Sequence, residues 1–331
     1  MVKITTINST TDYGPSTMDL KIMNHEPNRK TLIVIVGPTA IGKTAIAIEL
    51  AKLYNTVIVS ADSRQFYREM SIGTAKPTNA ELGTVKHYFI NSHAITETFN
   101  VGDYEKESVK LLDELFQTHE KVILVGGSGL FIKAVCEGFD EFPDIEPAIR
   151  ETLNVELSER GISALQERLK LADPEYYEQV DLNNPQRIIR ALEVFEATGK
   201  PFSSYWKSNV NTRPFNIIKL GLNMERQALY KRINERVDVM ISDGLIEEVK
   251  SLIPYKYLNT LNTVGYSELF DYLDGITNLE EAIRLIKQNT RRFAKRQLTW
   301  FGKDKSIIWF TADKKGLSTE IKAAIDGNLS Q

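Results

Sequence analysis

Cysteine and histidine are scarce in this chain of 331 residues, which contains one cysteine, Cys136, and four histidines. A single cysteine excludes an intrachain disulfide and fits a reducing compartment. The few histidines show no spacing typical of a zinc site. The early apolar run from Leu32 to Val36 is far too short to span a bilayer, and the N-terminus lacks the apolar stretch of a signal peptide. We therefore expect a cytoplasmic protein without a membrane span.

A large excess of either positive or negative charge is also absent, because 41 basic and 44 acidic residues leave a net charge of −3. Such a balance disfavours a protein that coats nucleic acid or membrane by bulk electrostatics, although it leaves room for a local basic face. The window from Ala282 to Lys303 has seven basic residues and no acidic one, so the remainder has 34 basic against 44 acidic residues. Four of the basic residues are spaced three or four apart, which predicts one face of a helix: Arg284, Lys287, Arg291 and Lys295.

Short β-branched runs alternate with helical spacing from Thr31 onwards, which predicts an α/β fold with a parallel sheet flanked by helices. Residues 1–29 show no such period, and we expect them to form a flexible extension. The expected strands are Leu32–Val36, Thr56–Ser60, His87–Ile90, Lys121–Val125, Ile217–Leu222 and Ile307–Phe310.

The strand pattern stops between Gly138 and Arg213, where the residues predict only helices broken by prolines. One of these helices has clear ends, with Asn184 as N-cap, Pro185 in the first turn and Gly199 as the stop. We therefore predict an all-helical insertion at residues 138–213 in an α/β core made of residues 30–137 and 214–331.

A phosphate-binding motif follows the first strand, because residues 37–44 read GPTAIGKT and match the pattern GxxxxGK[ST]. Its backbone N–H groups and the following helix N-terminus suit phosphate oxygens. Lys43 supplies a cation, and the Thr44 hydroxyl can bind Mg²⁺. The predicted ligand is a diphosphate or triphosphate, bound by Gly37, Pro38, Thr39, Ala40, Ile41, Gly42, Lys43 and Thr44.

A carboxylate, Asp62, follows the second strand and should face this loop, because ligands bind at the carboxyl ends of parallel strands. It could act as a general base, bind Mg²⁺ through water, or simply cap the next helix. A P-loop kinase or NTPase usually ends a later strand in Asp, whereas the strand at Val122–Val125 ends in Gly126-Gly127, which weakens that alternative.

Several segments together resemble the tRNA dimethylallyltransferase family, from about Lys30 to Phe310. They occur in family order: GPTAIGKT, SADSRQFY, IGTAKP, LVGGSGLF, NPQRIIRALEVFEATGK, the helix from Arg226 to Met240, VGY and AKRQLTWF. The resemblance implies transfer of a dimethylallyl group from dimethylallyl diphosphate to the exocyclic amine of the adenosine 3′ of the anticodon. It implies Asp62 as general base, Lys43 and Arg236 on the diphosphate, and Mg²⁺ near Thr44.

The same resemblance implies a set of tRNA contacts distributed over both predicted domains. Ser128 stands where relatives usually have Thr, and Ser267 stands where a basic residue is frequent. The implied contacts are Asp62, Ser63, Arg64, Gln65, Ser128, Arg150, Gln186, Arg187, Ile188, Ile189, Arg190, Gly265, Tyr266, Arg291, Lys295, Arg296 and Gln297.

Three alternative functions remain to be weighed. An adenine-nucleotide isopentenyltransferase would need no large RNA-binding face, a P-loop kinase would use ATP, and a non-catalytic RNA-binding module would leave the phosphate loop without a role. The basic window, Arg187 and Arg190 favour tRNA. No Cys or His follows His119 except Cys136, so the zinc finger of eukaryotic members is not expected, and we expect a monomeric enzyme of the bacterial type.

Overall fold

A computed structural model describes residues 30–138, 145–206 and 212–327. Expectations for residues 1–29 lie outside this part of the chain. Six parallel strands form one sheet in the order β3-β2-β4-β1-β5-β6. The strands are β1 (Thr31–Val36), β2 (Ile58–Ser60), β3 (His87–Tyr88), β4 (Lys121–Val125), β5 (Asn216–Asn223) and β6 (Ile308–Thr311).

Helices connect the strands and cover the sheet. Within the described ranges, none of them is long and apolar enough to cross a membrane. Short 3-10 turns lie at Phe202–Tyr205, Ile253–Tyr255 and Asn259–Leu261. The α-helices are α1 (Lys43–Tyr54), α2 (Asn79–Thr84), α3 (Val101–Leu115), α4 (Gly129–Glu137), α5 (Pro147–Arg160), α6 (Ile162–Ala172), α7 (Pro174–Tyr177), α8 (Pro185–Thr198), α9 (Arg226–Ser242), α10 (Leu245–Ser251), α11 (Tyr266–Leu273), α12 (Leu279–Phe301) and α13 (Leu317–Ile325).

Strand β1 lies inside the sheet, and all six of its residues are buried. Ile33 pairs with Ile123 of β4 on one side and with Ile218 of β5 on the other. Ile33 also packs in the cluster that contains residues of α1 and α13, whereas Val34 packs in the cluster of α3 and α4. Burial on both faces explains the unbroken apolar run of β1. The strand predicted at Leu32–Val36 is confirmed.

The predicted strands are confirmed, with small differences in length. The strand expected at His87–Ile90 is two residues shorter than predicted, because β3 ends at Tyr88. Phe89 and Asn91 have φ angles of 59° and 56°, and these left-handed conformations cannot continue an extended strand. The side-chain pattern predicted the position of this strand, while the backbone turn decided its end.

Helices α5 to α8 follow α4 and precede β5, and they share a hydrophobic cluster of their own. The predicted ends of α8 are confirmed, since the Asn184 side chain accepts a hydrogen bond from Arg187 N and Gly199 has a φ of 67°. Both connections to the α/β core pass through residues outside the described ranges, 139–144 and 207–211. The exact bounds of a helical insertion therefore remain a prediction. The cluster includes Leu153, Leu165, Leu169, Ile188, Ile189 and Leu192.

Candidate active site

A cavity of about 370 Å³ lies beside the carboxyl ends of β1, β2 and β4. The phosphate loop Thr39–Thr44 lines one part of it, and Asp62 follows β2 into it. Gly126 and Gly127, which follow β4, line it as well. The parallel sheet thus brings together three segments far apart in sequence, as expected for its carboxyl edge.

Glycines let the phosphate loop pack closely at two points. Gly37 has a φ of 143°, and a Cβ atom there would lie 2.6 Å from the carbonyl oxygen of Leu222 in β5. Gly42 has a φ of 100° and precedes α1, so its neighbours present backbone N–H groups at a helix N-terminus. This geometry suits an anion, because the helix dipole and the unpaired N–H groups both attract negative charge.

Lys43 folds back onto the loop that carries it. Its Nζ donates hydrogen bonds to the carbonyl oxygens of Gly37 and Pro38, at 3.0 and 2.7 Å. Burial lowers the pKa of Lys43 from 10.5 to about 7; the negative charge of Asp62 opposes this shift and the positive charge of Arg236 adds to it. A bound diphosphate would favour the ammonium form, so Lys43 is a cation whose charge depends on the ligand.

Two arginines, one helical turn apart on α9, line the same cavity. Arg236 donates a hydrogen bond from Nη1 to Thr39 Oγ1 at 3.3 Å, and burial lowers the pKa of its guanidinium although Asp62 opposes the shift. Arg232, which no sequence motif singled out, also faces the loop, because its Nη2 would lie 3.6 Å from a Cβ atom on Gly42. The i, i+4 spacing of the two arginines was the signal that could have identified it.

Asp62 organises the turn after β2 and also lines the cavity. Its Oδ1 accepts a hydrogen bond from Arg64 N at 3.0 Å, so the carboxylate organises the turn after β2. It also lines the cavity and acts electrostatically on both Lys43 and Arg236. A carboxylate held in this position can accept a proton from a bound nucleophile.

The residues next to Asp62 are largely engaged within the protein. Ser63 N donates to Ser128 Oγ at 3.0 Å, which joins the segments after β2 and β4. Burial lowers the pKa of Arg64, against the effects of Tyr67 and Asp62. The Gln65 side chain donates to the carbonyl oxygen of Thr74 at 3.2 Å. Ser128 and Gln65 therefore shape the site through internal contacts.

Gln297, one of the predicted tRNA contacts, lines the cavity and makes two internal hydrogen bonds. It is only 6% exposed, and its Oε1 accepts a hydrogen bond from Thr39 N at 2.8 Å while its Nε2 donates to Gly127 O at 3.0 Å. Gln297 thus joins α12 to the phosphate loop and to the glycine pair after β4. A side chain at Gly127 would overlap this amide, which explains the glycine there.

The part of the cavity away from the phosphate loop includes Ala75, Pro77, Ile90 and His87. His87 Nδ1 lies 2.8 Å from the carbonyl oxygen of Val85, so this nitrogen carries the proton. Its Nε2 is buried and has no hydrogen-bond partner within the described residues. Burial lowers the pKa of His87 and keeps the ring neutral, so Nε2 is an acceptor. Sequence analysis treated His87 only as part of a strand.

Four further predicted tRNA contacts are buried, and the structure does not support contact through their side chains or surfaces. Ile188 and Ile189 are 0% exposed in the core of α5 to α8. Tyr266 is also 0% exposed, and Gly265 beside it is buried. The family motifs that contain these residues serve packing at these positions.

The other predicted contacts on the helical segment lie on its surface. Gln186 and Arg187 are exposed, and Arg190 is half-buried. Arg150 forms a hydrogen-bonded ion pair with the buried carboxylate of Glu193, which raises the pKa of the Arg150 guanidinium. This pairing orients Arg150 and remains compatible with a phosphate contact.

The basic window forms part of α12, but the predicted stripe is partly directed at α9. Lys287 pairs with Asp238 at 2.5 Å, and Arg291 donates to Asn234 Oδ1 at 2.6 Å. Two of the exposed basic residues on this helix are Lys295 and Arg296. Lys287 and Arg291 of the predicted basic face therefore also contact α9, a packing partner that was not visible in the spacing.

The residues near the phosphate loop fit Mg²⁺ that is held chiefly by a diphosphate. Among the described residues, no cluster of three Asp, Glu, His or Cys side chains could hold a metal alone. Mg²⁺ usually keeps several waters and binds through one or two protein groups together with substrate phosphates. Thr44 and Asp62, which both line the cavity, could supply such groups.

Comparison with known proteins gives a consistent result over nearly the whole chain. The family model described as IPP transferase matches residues 65–304. A tRNA dimethylallyltransferase of Christiangramia forsetii is 54% identical over 283 residues, which cover 86% of this chain and 94% of that protein. A tRNA dimethylallyltransferase of Cytophaga hutchinsonii is 50% identical over 302 residues, with coverage of 91% and 98%.

A solved structure agrees with these relatives. The tRNA isopentenylpyrophosphate transferase of Bacillus halodurans superposes with a TM-score of 0.68 at 39% identity, covering 91% of this chain and 97% of that one. Because the family model, the sequence relatives and the fold coincide over most of the chain, this chain belongs to the tRNA dimethylallyltransferase family of IPP transferases.

Proposed function

We propose that this protein transfers a dimethylallyl group from dimethylallyl diphosphate to the exocyclic amine of the adenosine 3′ of the anticodon in tRNA. The observation that carries the proposal is the shared cavity of the phosphate loop, Lys43, Arg236 and Asp62. Cations on one side and a carboxylate on the other suit a reaction that expels an anion and releases a proton.

In the proposed reaction, the adenine nitrogen forms a bond to the first carbon of the allyl group while the bond from that carbon to the diphosphate oxygen breaks. Asp62 accepts the proton that the amine loses, and the electron pair of the broken bond leaves with the diphosphate. Lys43, Arg236 and the N–H groups of the loop stabilise the charge of the leaving group. Mg²⁺ beside Thr44 would neutralise further charge on the diphosphate.

For binding the polynucleotide, we propose Lys295 and Arg296 of α12 and the surface of α8 that carries Gln186 and Arg187. Lys295 and Arg296 add charge next to Gln297, which contacts the phosphate loop. Basic residues at such a position can fix the RNA backbone while one base enters the cavity. The enzyme is proposed to act as a monomer in the cytoplasm.

The decisive experiment is nucleoside analysis of unmodified tRNA after incubation with the protein, dimethylallyl diphosphate and Mg²⁺. We expect the dimethylallyl adenosine product with tRNA and none with AMP or ATP as acceptor. Product from free nucleotides alone would support the adenine-nucleotide alternative. ATP hydrolysis without any prenylated product would support a kinase or NTPase and contradict the proposal.

A further inference from the structure

Three consecutive backbone N–H groups in the segment Ser71–Gly73 converge on one carboxylate of α10. Ser71 N and Ile72 N donate to Glu248 Oε2 at 2.9 and 2.7 Å. Gly73 N donates to Glu248 Oε1 at 3.0 Å. Hydrogen bonds to an ionised carboxylate are stronger than neutral ones, so this contact fixes the backbone of the segment.

Tyr266 completes the contact from the other side. Its hydroxyl donates to Glu248 Oε1 at 2.6 Å, and burial together with the negative charge of Glu248 raises the pKa of Tyr266. The ring lies directly against Gly73, where a Cβ atom would be 2.5 Å from Tyr266 Cε2. The motifs IGTAKP and VGY, separated by almost two hundred residues, therefore form one unit around Glu248.

This unit leads directly into the wall of the cavity. Thr74, Ala75 and Pro77 follow the clamped segment and line the cavity. The carbonyl oxygens of Thr74 and Ala75 accept hydrogen bonds from Gln65 Nε2 at 3.2 and 3.3 Å, and Gln65 Oε1 accepts one from Ser60 Oγ at 3.2 Å. The loop is thus held between Glu248 and the end of β2, close to Asp62.

The wall formed here has a chemical character different from that of the phosphate loop. Ala75, Pro77 and Ile90 offer apolar surface to the cavity, which the cationic side chains of Lys43 and Arg236 also line. With a diphosphate on the cationic part, the hydrocarbon of the same substrate would meet the apolar part. The position of the loop then determines how much room the hydrocarbon has.

We propose that Glu248 is a positioning residue for prenyl transfer, which acts through the loop Ser71–Pro77 to set the apolar wall and thereby the length of allylic chain accepted. This inference rests on the proposed function and adds the determinant of chain length to it. Glu248 itself does not line the cavity, so its effect reaches the substrate only through the loop.

The test compares Glu248→Gln with Glu247→Gln in the full-length protein. Glu247 is the neighbouring acid, with a 73% exposed side chain paired to Lys250, and serves as a matched control. We expect Glu248→Gln to lower kcat/KM for dimethylallyl diphosphate by roughly tenfold or more, as expected from the loss of a charge-assisted hydrogen bond. The Kd for tRNA should stay equal to that of the control.

Chain-length selectivity provides a readout that a general loss of folding would not give. We expect Glu248→Gln to lower the ratio of kcat/KM for dimethylallyl diphosphate to kcat/KM for geranyl diphosphate. Glu247→Gln should keep the ratio of the wild type. Tyr266→Phe, which removes one donor and leaves the three backbone bonds, should shift the preference in the same direction by less. This milder variant is used if Glu248→Gln does not fold.

Unchanged kcat/KM and unchanged chain-length preference in a folded Glu248→Gln protein would overturn the inference, as would an unchanged preference in Tyr266→Phe. A fall in tRNA affinity as large as the fall in kcat/KM would also overturn it, since it would show a general structural effect. Failure of the wild type to prenylate tRNA would instead contradict the proposed function, so the two failures are distinguishable.

Discussion

Lys43, Arg236 and Asp62 interact electrostatically across the cavity. Lys43 and Arg236 are half-buried, and desolvation lowers the pKa of each, while the negative charge of Asp62 opposes this shift. Because Arg232 and Glu235 also line the cavity, three cations stand against two carboxylates, and a diphosphate can neutralise the excess positive charge. The cavity is therefore better suited to a bound anion than to the ligand-free state.

The pKa of Lys43 predicts how diphosphate affinity changes with pH. With a pKa of about 7 in the free protein, Lys43 becomes neutral as the pH rises above 7. A bound diphosphate stabilises the ammonium form, so binding takes up a proton in this range, and the affinity should fall by up to about tenfold per pH unit. Calorimetric titration with a non-reactive thiolo analogue of dimethylallyl diphosphate measures this dependence.

Lys43→Met provides the control for the titration of the ligand itself. This variant cannot take up the proton. The pH dependence of its weaker affinity should therefore reflect only the protonation of the analogue and the binding of Mg²⁺ to it. The affinity of the wild type divided by that of Lys43→Met should decrease as the pH rises above 7. A constant ratio between pH 6 and 9, a range chosen to bracket that pKa of about 7, would contradict the assigned role.

Asp62→Asn is expected to separate binding from chemistry. The amide can still accept the hydrogen bond from Arg64 N, so the turn should persist, but it cannot accept a proton. Single-turnover transfer should slow by roughly 10²–10⁴-fold, while the Kd for tRNA stays unchanged. Asp113→Asn on the exposed side of α3 is the control, and a wild-type rate in Asp62→Asn would exclude Asp62 as the base.

Among single residues, those whose role follows from a local motif were predictable from the sequence. Lys43 and Asp62 belong to short segments with a recognisable chemistry, and both line the cavity. Gln297 and Glu248 were not identified in their roles because each acts on a loop far away in the chain, at separations of 258 and up to 177 positions. No local spacing encodes such contacts.

Among the elements, α12 shows how one helix can serve two neighbours. Its buried Gln297 contacts the phosphate loop, Arg291 contacts α9, and Lys295 and Arg296 remain exposed. Helical periodicity predicted the row of basic residues on α12. It did not predict which element packs against each face of this helix. Packing against α9 decides which basic residues remain accessible.

Lys295 and Arg296 are expected to provide part of the affinity for tRNA. Changing both to Gln should weaken binding and reduce the slope of log affinity against log salt by roughly 0.7–0.9 for each phosphate that the variant no longer neutralises. Arg284→Gln is the matched control on the same helix, because Arg284 is already paired with Glu281. Filter binding over a salt series measures the slopes, and equal slopes in both variants would place the RNA on another surface.

In the part of the molecule that the structure describes, two hydrophobic clusters lie on the sheet, a third lies around α10 to α12, and a fourth lies in α5 to α8. The parallel sheet and the helical stretch were predictable, because period and composition change abruptly at their borders. The strand order β3-β2-β4-β1-β5-β6 was not, since pairing partners are selected by packing between distant segments. The fourth cluster suggests separate roles for the two parts.

Leu165→Ala tests whether the helical segment can be weakened independently. Leu165 is fully buried in the fourth cluster, and its truncation should destabilise that cluster by about 2–5 kcal/mol. We expect a lower transition temperature in calorimetry and weaker tRNA binding, with diphosphate affinity unchanged. Leu171→Ala, at a side chain that is 86% exposed, is the control. A parallel loss of diphosphate affinity would contradict this independence.

The position of β1 between β4 and β5 has a consequence for the chain as it leaves the ribosome. Strand β4 ends at Val125, yet β5 begins only at Asn216, after the helical segment. Because synthesis proceeds at about 5–20 residues per second, the edge of β1 that pairs with β5 remains unpaired for on the order of 5–20 s. During synthesis, this unpaired edge is therefore open to aggregation, and a chaperone that covers it would protect the nascent chain.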